Sequence, residues 1–475
     1  MGAFVAGGAD SSGYLSQARL WERASPITPE PLIARVDWPY AEWTFTPLGY
    51  RPGIVRGTFV PIYSVGYPML MGAIRRAFGP GAEMYVVPVT AGGLVLAAGI
   101  LGTWIGGFVV GASTSLLLAT SPPFVLQSLQ PMSDVPTAFW WTIAALLGVQ
   151  RRFIYNLASS GAVAMAILTR PNLAPLALPL ILLVLAGRGD PEPDNWPGAA
   201  AVLAGAVAGA GLVAYLNAIF FGAATVSGYG APGDLYKLGF LPTNLARYTT
   251  WLIQTETLLV AAAFAGAVFL ARTAFSSRWA MYAVGTFAIV LLSYVFYRPF
   301  DNWTYLRFFL PVYPLLFVAL VSIANVKSLE NRRAIRNLVV VALTVVVCAA
   351  HVVFVFRNGV LHTRRMESKY LKVTDYLQQS LPSNAIFICH QYSGSIRYYT
   401  DRRILRYDWL VPNRLEDAVT KLEALGYRPY FLLEQWEEPV FRARFSASTP
   451  LGKLDWRPAV DLLEARVRIY DPSHR

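Results

Sequence analysis

The sequence predicts a mainly α fold: a polytopic membrane helical bundle of about ten spans, followed by a small extracytoplasmic α/β domain at the C-terminus. Three observations carry this. The 475 residues are 55% hydrophobic and 14% charged, with a mean hydropathy of +0.43, whereas globular chains carry about a quarter charged residues. The apolar residues gather between Met84 and Phe356 into runs of roughly 16 to 25 residues, enough or nearly enough to cross a bilayer core. From Leu361 onward the pattern changes to alternating strand and helix signals. Three segments follow: a first outer loop with interfacial helices (1–83), a transmembrane bundle (84–357) and a soluble α/β domain (361–475).

Residues 1 to 60 are polar and aromatic, with a Trp- and Pro-rich stretch VDWPYAEWTFTPLGYRPG, and read as an ordered loop. The run 62–78 is short, contains Pro68 and ends in Arg75 and Arg76, so it is expected along the membrane interface. Only MGAFVAGGA precedes Asp10, and an upstream span is therefore expected before this start. The ten spans are placed at 84–104, 108–127, 135–150, 153–169, 171–187, 198–222, 252–271, 279–297, 306–325 and 337–356.

Basic residues set the orientation. Arg151 with Arg152, Arg188, Arg272 with Arg278, and the group Lys327, Arg332, Arg333 and Arg336 fall in alternate loops, which marks those loops as cytoplasmic. The same flanking arginines account for the formal charge of +12, and no RNA-recognition or DNA-binding motif argues for nucleic acid. The location implied is the cell (inner or plasma) membrane, with membrane lipids as neighbours and the C-terminal domain outside. If 62–78 does not cross, Asp10 and Asp134 share the outer face. In the C-terminal domain HTRRMESKYLKVTDYLQQSLP and RLEDAVTKLEALG read as helices, and NAIFICH, RPYFLLE and ARVRIYD as strands.

Cys348 and Cys389 lie in different settings and are not expected to pair. His351, His362, His390 and His474 all come late, so no His-based metal site is evident and no residue is assigned as a metal ligand. Cys389 and His390 look like a dyad on paper, but neighbours on a strand point to opposite faces.

The outward groups are Asp10, Tyr14, Asp37, Glu42, Arg51, Arg56, Asp134, Arg170, Lys237, Arg298, Asp301 and Arg307. Acids, bases and aromatic rings on one membrane face suit a phosphate-bearing lipid: arginine grips phosphate, and an aspartate takes a proton from a hydroxyl. Each residue also has a structural reading. Asp10 and Asp134 are candidate helix caps, Arg170 a snorkelling residue, Arg307 a partner for Asp301, and the first-loop Trp and Tyr residues an interfacial belt.

In order along the chain, Asp10 with Tyr14 and Ala18, YSVGYPML, ATSPPFVLQSLQPMSDVP, LTRPN and YLRFFLPVYP resemble motifs of the GT-C glycosyltransferases, among them protein O-mannosyltransferases and lipid A aminoarabinose transferases. The resemblance implies a sugar moved from a polyprenyl-phosphate donor to a hydroxyl of a glycan, lipid or protein acceptor, with inversion. Asp10 would be the general base and Asp134 the second catalytic acid. Tyr14, Asp37, Glu42, Arg170 and Arg307 would bind substrate. Many relatives carry a second acid directly after the first. Here Ser11 stands there, which leaves a divalent metal cofactor open. A transporter or flippase for a lipid-linked sugar and a non-catalytic envelope-assembly scaffold are the alternatives. Against transport stand the lack of an internal repeat and of charge at the middle of a span.

Overall fold

The polar start of the chain folds as a helix rather than a loop. In the computed structural model, which describes residues 2–186, 194–263, 266–267, 274–324 and 332–474, α1 (Asp10–Glu22) buries Ser11, Ser12, Gly13, Ser16 and Gln17 beside Tyr14 and Leu15. Small and polar residues on the buried face leave no apolar periodicity to read. After α1 come β1 (Thr28–Pro29), the single turn α2 (Ala41–Thr44), β2 (Tyr50–Pro52) and β3 (Thr58–Pro61), the strands forming an antiparallel sheet in the order β1-β3-β2.

α3 (Gly66–Phe78) has 13 residues, about 20 Å of helix, and packs along α1. The two helices approach closely because Gly72 has no side chain: a Cβ there would stand 2.7 Å from the Ala18 carbonyl oxygen. Arg75 locks the far end of the pair, reaching Glu22 at 2.8 Å and Glu83 at 2.6 Å.

The apolar runs are helical, and prolines decide where they break. α4 (Val86–Gly106) ends at Gly107, whose φ of +86° no ordinary residue holds without strain. α5 (Phe108–Thr120) and α6 (Pro122–Ser128) form one apolar stretch bent by 65°. Ser121, extended as the residue before a proline must be, is the bend. α7 (Asp134–Gly148) and α8 (Phe153–Thr169) form an antiparallel hairpin turned at Arg151 and Arg152. Pro171 and Pro175 hold 171–176 in a 3-10 helix before α9 (Ala177–Leu185), and α10 (Trp196–Phe221) returns beside α8.

After the short α11 (Pro232–Leu235), α12 (Leu241–Glu256) replaces the expected start of a span at 252. It stops at Thr257, held at φ +70°. Of the run 252–271, residues 264–265 and 268–271 lie outside the described residues, as do Arg188, Arg272 and Lys327 from the basic loops. α13 (Ala274–Val295) follows. Then Trp303–Val312 is a ten-residue 3-10 helix containing Pro311, where a continuous α-helical span was expected. α14 (Tyr313–Val321) and α15 (Arg333–Arg357) complete the bundle. Among the described residues five helices are long and apolar enough to cross a membrane, six if the bent α5–α6 pair is one span. The protein is a multi-pass membrane protein.

The C-terminal domain is a five-stranded sheet, β5-β4-β6-β8-β7. β4 (Ala385–Cys389), β5 (Ile404–Arg406) and β6 (Arg428–Glu434) are parallel, and β8 (Val467–Tyr470) and β7 (Val460–Leu462) antiparallel. α16 (Thr363–Ser380), α17 (Ser393–Thr400), α18 (Leu415–Ala424) and α19 (Glu437–Phe445) cover it. One face of this sheet is closed by the segment between α1 and β2, since Leu32, Ile33, Trp38 and Phe45 share a core with Ile386, Phe431 and Phe441. Cys348 and Cys389 are both free thiols.

The domain should lose stability in acid through one identifiable group. Burial pushes the Asp408 carboxyl up, but the close approach of His390 and the hydrogen bonds from Arg406 outweigh it and bring it down to about 2 from an ordinary 3.8. A carboxyl depressed in the folded state stabilises fully above the unfolded value and loses that contribution as pH falls from about 4 towards 2, here about 1–2 kcal/mol. Thermal unfolding of detergent-solubilised protein should show this slope, and Asp408→Asn should flatten it.

Candidate active site

Two acid–base pairs meet at one end of the bundle, and helix ends put them there. Asp134 is the first residue of α7 and Arg170 the C-cap of α8. Because the two helices run antiparallel, these ends are neighbours. The positive end of the α7 dipole favours the carboxylate, and the negative end of the α8 dipole favours the guanidinium. Arg170 donates to Asp134 at 2.5 Å and to the Tyr294 hydroxyl of α13 at 3.1 Å. Asp134 is 1% exposed and sits in the apolar core. Its carboxylate does not cap α7: the cap position is Ser133, without a side-chain bond.

Asp10 likewise opens α1, after Ala9, and caps nothing. Tyr63 donates to one oxygen at 2.9 Å, and Arg307 donates to the other at 3.1 Å. Arg307 therefore faces Asp10 and not Asp301, which is exposed. The pocket around Asp10 depends on two glycines. A Cβ on Gly13 would stand 2.2 Å from the Tyr63 ring, and one on Gly49, held at φ +87°, 2.8 Å from the Cα of Gly13.

Tyr14 links the pairs. It donates to or accepts from Ser133 at 2.8 Å, and its ring lies 4.3 Å from Tyr63 and 5.1 Å from Tyr67. Burial holds its hydroxyl above the ordinary phenol range. Arg170 pulls it down, and Asp10 and Asp134 push it further up. Phe308 separates the two cations, with Arg170 5.2 Å and Arg307 5.4 Å from its ring, while Tyr294 stacks on it at 4.3 Å. The 3-10 helix Trp303–Val312 supplies this alternation of cation and ring.

The cluster is unfinished in hydrogen-bonding terms. Asp134 Oδ2, Arg170 Nε and Arg307 Nε are buried without a partner. A cleft opens beside it, between the segment Ile62–Val65, Pro171, the end of α10 at Leu216 and Phe220, and Tyr229. Tyr63 lines this cleft and also holds Asp10.

Of the residues singled out in the sequence, Asp10, Tyr14, Asp134, Arg170 and Arg307 are brought together. Asp37 and Glu42 are not. Asp37 is exposed, and Glu42 faces Arg56 at 3.9 Å on the segment that packs against the C-terminal domain. Arg51 donates to the Ser227 carbonyl at 3.0 Å, and Lys237 and Arg298 lie on two loops joined by the Tyr236–Tyr297 bridge. Cys389 is buried in β4, while His390 faces Asp408 at 3.1 Å, so the two form no dyad.

Sequence reasoning did not single out Tyr294, and it marked Phe308 only as part of the motif YLRFFLPVYP. It also missed a second polar group within the bundle. Glu256 and His351, 1% and 0% exposed, approach to 2.8 Å; Ser121 donates to Glu256 at 2.9 Å, and Thr120 meets His351 at 3.1 Å. Glu256 was read at the start of a span, whereas it ends α12 against the bend of α5–α6.

Comparison with solved structures places this architecture. ArnT from Cupriavidus metallidurans matches in the apo state over 98% of this chain and 93% of that chain, with a TM-score of 0.57 and 13% identity. Its structure bound to undecaprenyl phosphate matches over 98% and 94%, with a TM-score of 0.58 and 13% identity. This is the GT-C fold. An oligosaccharyltransferase from Archaeoglobus fulgidus, tethered to an acceptor peptide containing the NVT sequon, has the fold too: 94% of this chain and 68% of that one, TM-score 0.55, 13% identity. No protein-family model matches the chain, and no curated protein matches it in sequence.

A divalent cation does not suit the donor set found here. Asp10 and Asp134 each face a guanidinium. Among the described residues no three His, Cys, Asp or Glu side chains are grouped to hold a metal.

Asp134→Ala would leave Arg170 charged, buried and unpaired. A loss of about 3–5 kcal/mol is expected, read as a lower thermal midpoint in detergent. Asp134→Asn, which still accepts a hydrogen bond, should lose less.

Proposed function

We propose that the protein is a membrane glycosyltransferase that moves a sugar from a polyprenyl-phosphate carrier to a hydroxyl of an extracytoplasmic acceptor. One observation carries this reading. Two buried guanidinium groups stand beside two carboxylates, and each guanidinium keeps an Nε–H without an acceptor. A phosphate supplies the missing acceptors. The fold supports the same reading, since a solved structure with it holds undecaprenyl phosphate.

The carrier phosphate sits between Arg170 and Arg307, and the chain of the lipid runs along the apolar cleft at Leu216 and Phe220. Phosphate binding draws Arg307 away from Asp10 and frees that carboxylate. Asp10 then takes the proton of the acceptor hydroxyl as its oxygen attacks the anomeric carbon. The bond from that carbon to the phosphate oxygen breaks, its electron pair leaves with polyprenyl phosphate, and the centre inverts. Arg170 and Arg307 offset the charge gathering on the leaving phosphate. Tyr63, its hydroxyl pushed above the ordinary range by burial and by Asp10, stays protonated and orients the base. Asp134 holds Arg170 and Tyr14 holds Ser133, which keeps the floor of the site in register. The active face and the C-terminal domain lie outside the cell membrane in this reading, opposite the turn carrying Arg151 and Arg152.

The test is transfer from a radiolabelled polyprenyl-phosphate sugar by detergent-solubilised protein. Asp10→Asn should lower kcat by roughly 100- to 10,000-fold, with donor affinity retained. Arg307→Ala should instead raise the donor KM as well as lower kcat. Movement of the intact donor across vesicles without cleavage would mean a transporter. Wild-type turnover by Asp10→Asn would remove the assigned base.

A further inference from the structure

The turn between β2 and β3 carries the wrong residues for a turn in water. Its tip is Ile54 and Val55, 61% and 66% exposed. Turns that face water are built mainly from Gly, Asn, Asp, Ser and Pro. Two adjacent branched apolar side chains at a tip mark a contact with something apolar. The tip is held in shape. Gly53 N donates to the Thr58 carbonyl at 2.9 Å, the Thr58 hydroxyl donates to the Val55 carbonyl at 2.6 Å, and Gly57 stands at φ +81°.

The hairpin is fixed to the end of a membrane span. Val60 of β3 is buried in a core with Leu168 of α8 and Phe220 of α10. Arg51 of β2 places its guanidinium 5.3 Å from the Phe221 ring and donates to the Ser227 carbonyl at 3.0 Å. The tip itself reaches α10: a Cβ on Gly222, the residue that ends this helix, would lie 3.9 Å from Cδ1 of Ile54. The aromatic residues of the same segment go elsewhere, since Trp43 stacks on Trp409 of the α/β domain at 4.5 Å.

α10 sets the height of this contact in the bilayer. Its 26 residues make a helix of about 39 Å, close to the roughly 40–45 Å of a bilayer with its headgroup layers. Both ends of α10 therefore lie among headgroups. Leu203, Val207, Tyr215 and Ile219, with Gly211 completing the row, stand at every fourth position and are exposed. On a membrane span such an apolar ridge faces lipid. Ile219 lies one turn before Gly222, so Ile54 and Val55 continue the ridge past the end of the helix. Arg56 follows them with its side chain 76% exposed, and its pairing with Glu42, at 3.9 Å, is long and open to water.

We infer that the β2–β3 tip is a membrane anchor whose partner is the phospholipid surface. Ile54 and Val55 insert at the boundary of headgroups and acyl chains in the leaflet at the C-terminal end of α10, and Arg56 binds a lipid phosphate there. The inference holds whatever reaction the site performs, since it uses the span and the hairpin alone. The anchor gives the segment after it a fixed height: β3 runs on into Ile62 and Tyr63, which line the cleft.

The test uses full-length protein, one copy per nanodisc of phosphatidylethanolamine and phosphatidylglycerol. Val55→Cys, Ile219→Cys and Ala447→Cys are labelled with a nitroxide and probed by power saturation with oxygen, which concentrates in lipid, and with a nickel chelate, which stays in water. Ile219 marks lipid, Ala447 on the α/β domain marks water, and the unsubstituted protein with Cys348 and Cys389 gives the labelling background. The label at position 55 should favour oxygen over nickel as the one at 219 does, and Arg56→Glu should raise its nickel accessibility roughly twofold or more. Nickel access at position 55 equal to that at 447 would put the tip in water. Shielding from both reagents would put it against protein. Either result overturns the anchor, and an unchanged ratio in Arg56→Glu removes the phosphate contact.

Discussion

A charge removed from water must find its opposite, and one end of this bundle is arranged by that requirement. Asp134 is almost wholly buried, and Arg170 is the group that makes its burial tolerable. The two meet because α7 begins where α8 ends. Their helix dipoles favour the same signs. Asp10 and Arg307 repeat the arrangement with elements far apart in sequence, the polar helix α1 and a 3-10 helix. Tyr14 and Phe308 then set the spacing between the pairs. Loss of one partner exposes the cost of the other, so the cluster behaves as a unit.

The irregular backbone sits where these groups need it. Ser121 bends one apolar stretch, Thr257 stops another, and Pro311 lies in the long 3-10 helix that carries Arg307. Backbone freed at such breaks has no water to turn to inside a membrane, and is tolerated only against protein polar groups. Glu256, His351, Ser121 and Thr120 instead contact one another where the α5–α6 bend meets α12 and α15. A second polar node therefore lies within the helices.

The C-terminal domain is joined to the site through the start of the chain. Ser395 donates to the Ala6 carbonyl at 2.7 Å, the Tyr399 hydroxyl accepts from Ala6 N at 2.7 Å, and Gly7 passes so close to Tyr370 and Glu367 that no side chain would fit. Asp10 lies three residues further along. The N-terminus of α1, which bears the candidate base, is thereby tied to the domain.

The sequence by itself determined the membrane class, the helical runs and the α/β pattern after residue 361, because each rests on local periodicity or composition. It also marked Asp10, Tyr14, Asp134, Arg170 and Arg307, because polar residues at the ends of apolar runs stand out. Helix α1 was hidden, since its buried face is serine and glycine. Asp37 and Glu42 drew attention by charge alone, yet their loop packs against the α/β domain. Only the tertiary structure decided which carboxylate pairs with which arginine, that Glu256 and His351 meet, and that Trp43 lies on Trp409. Pairing energies depend on distance in space, and no local pattern encodes which two distant segments a fold will place within 3 Å of each other.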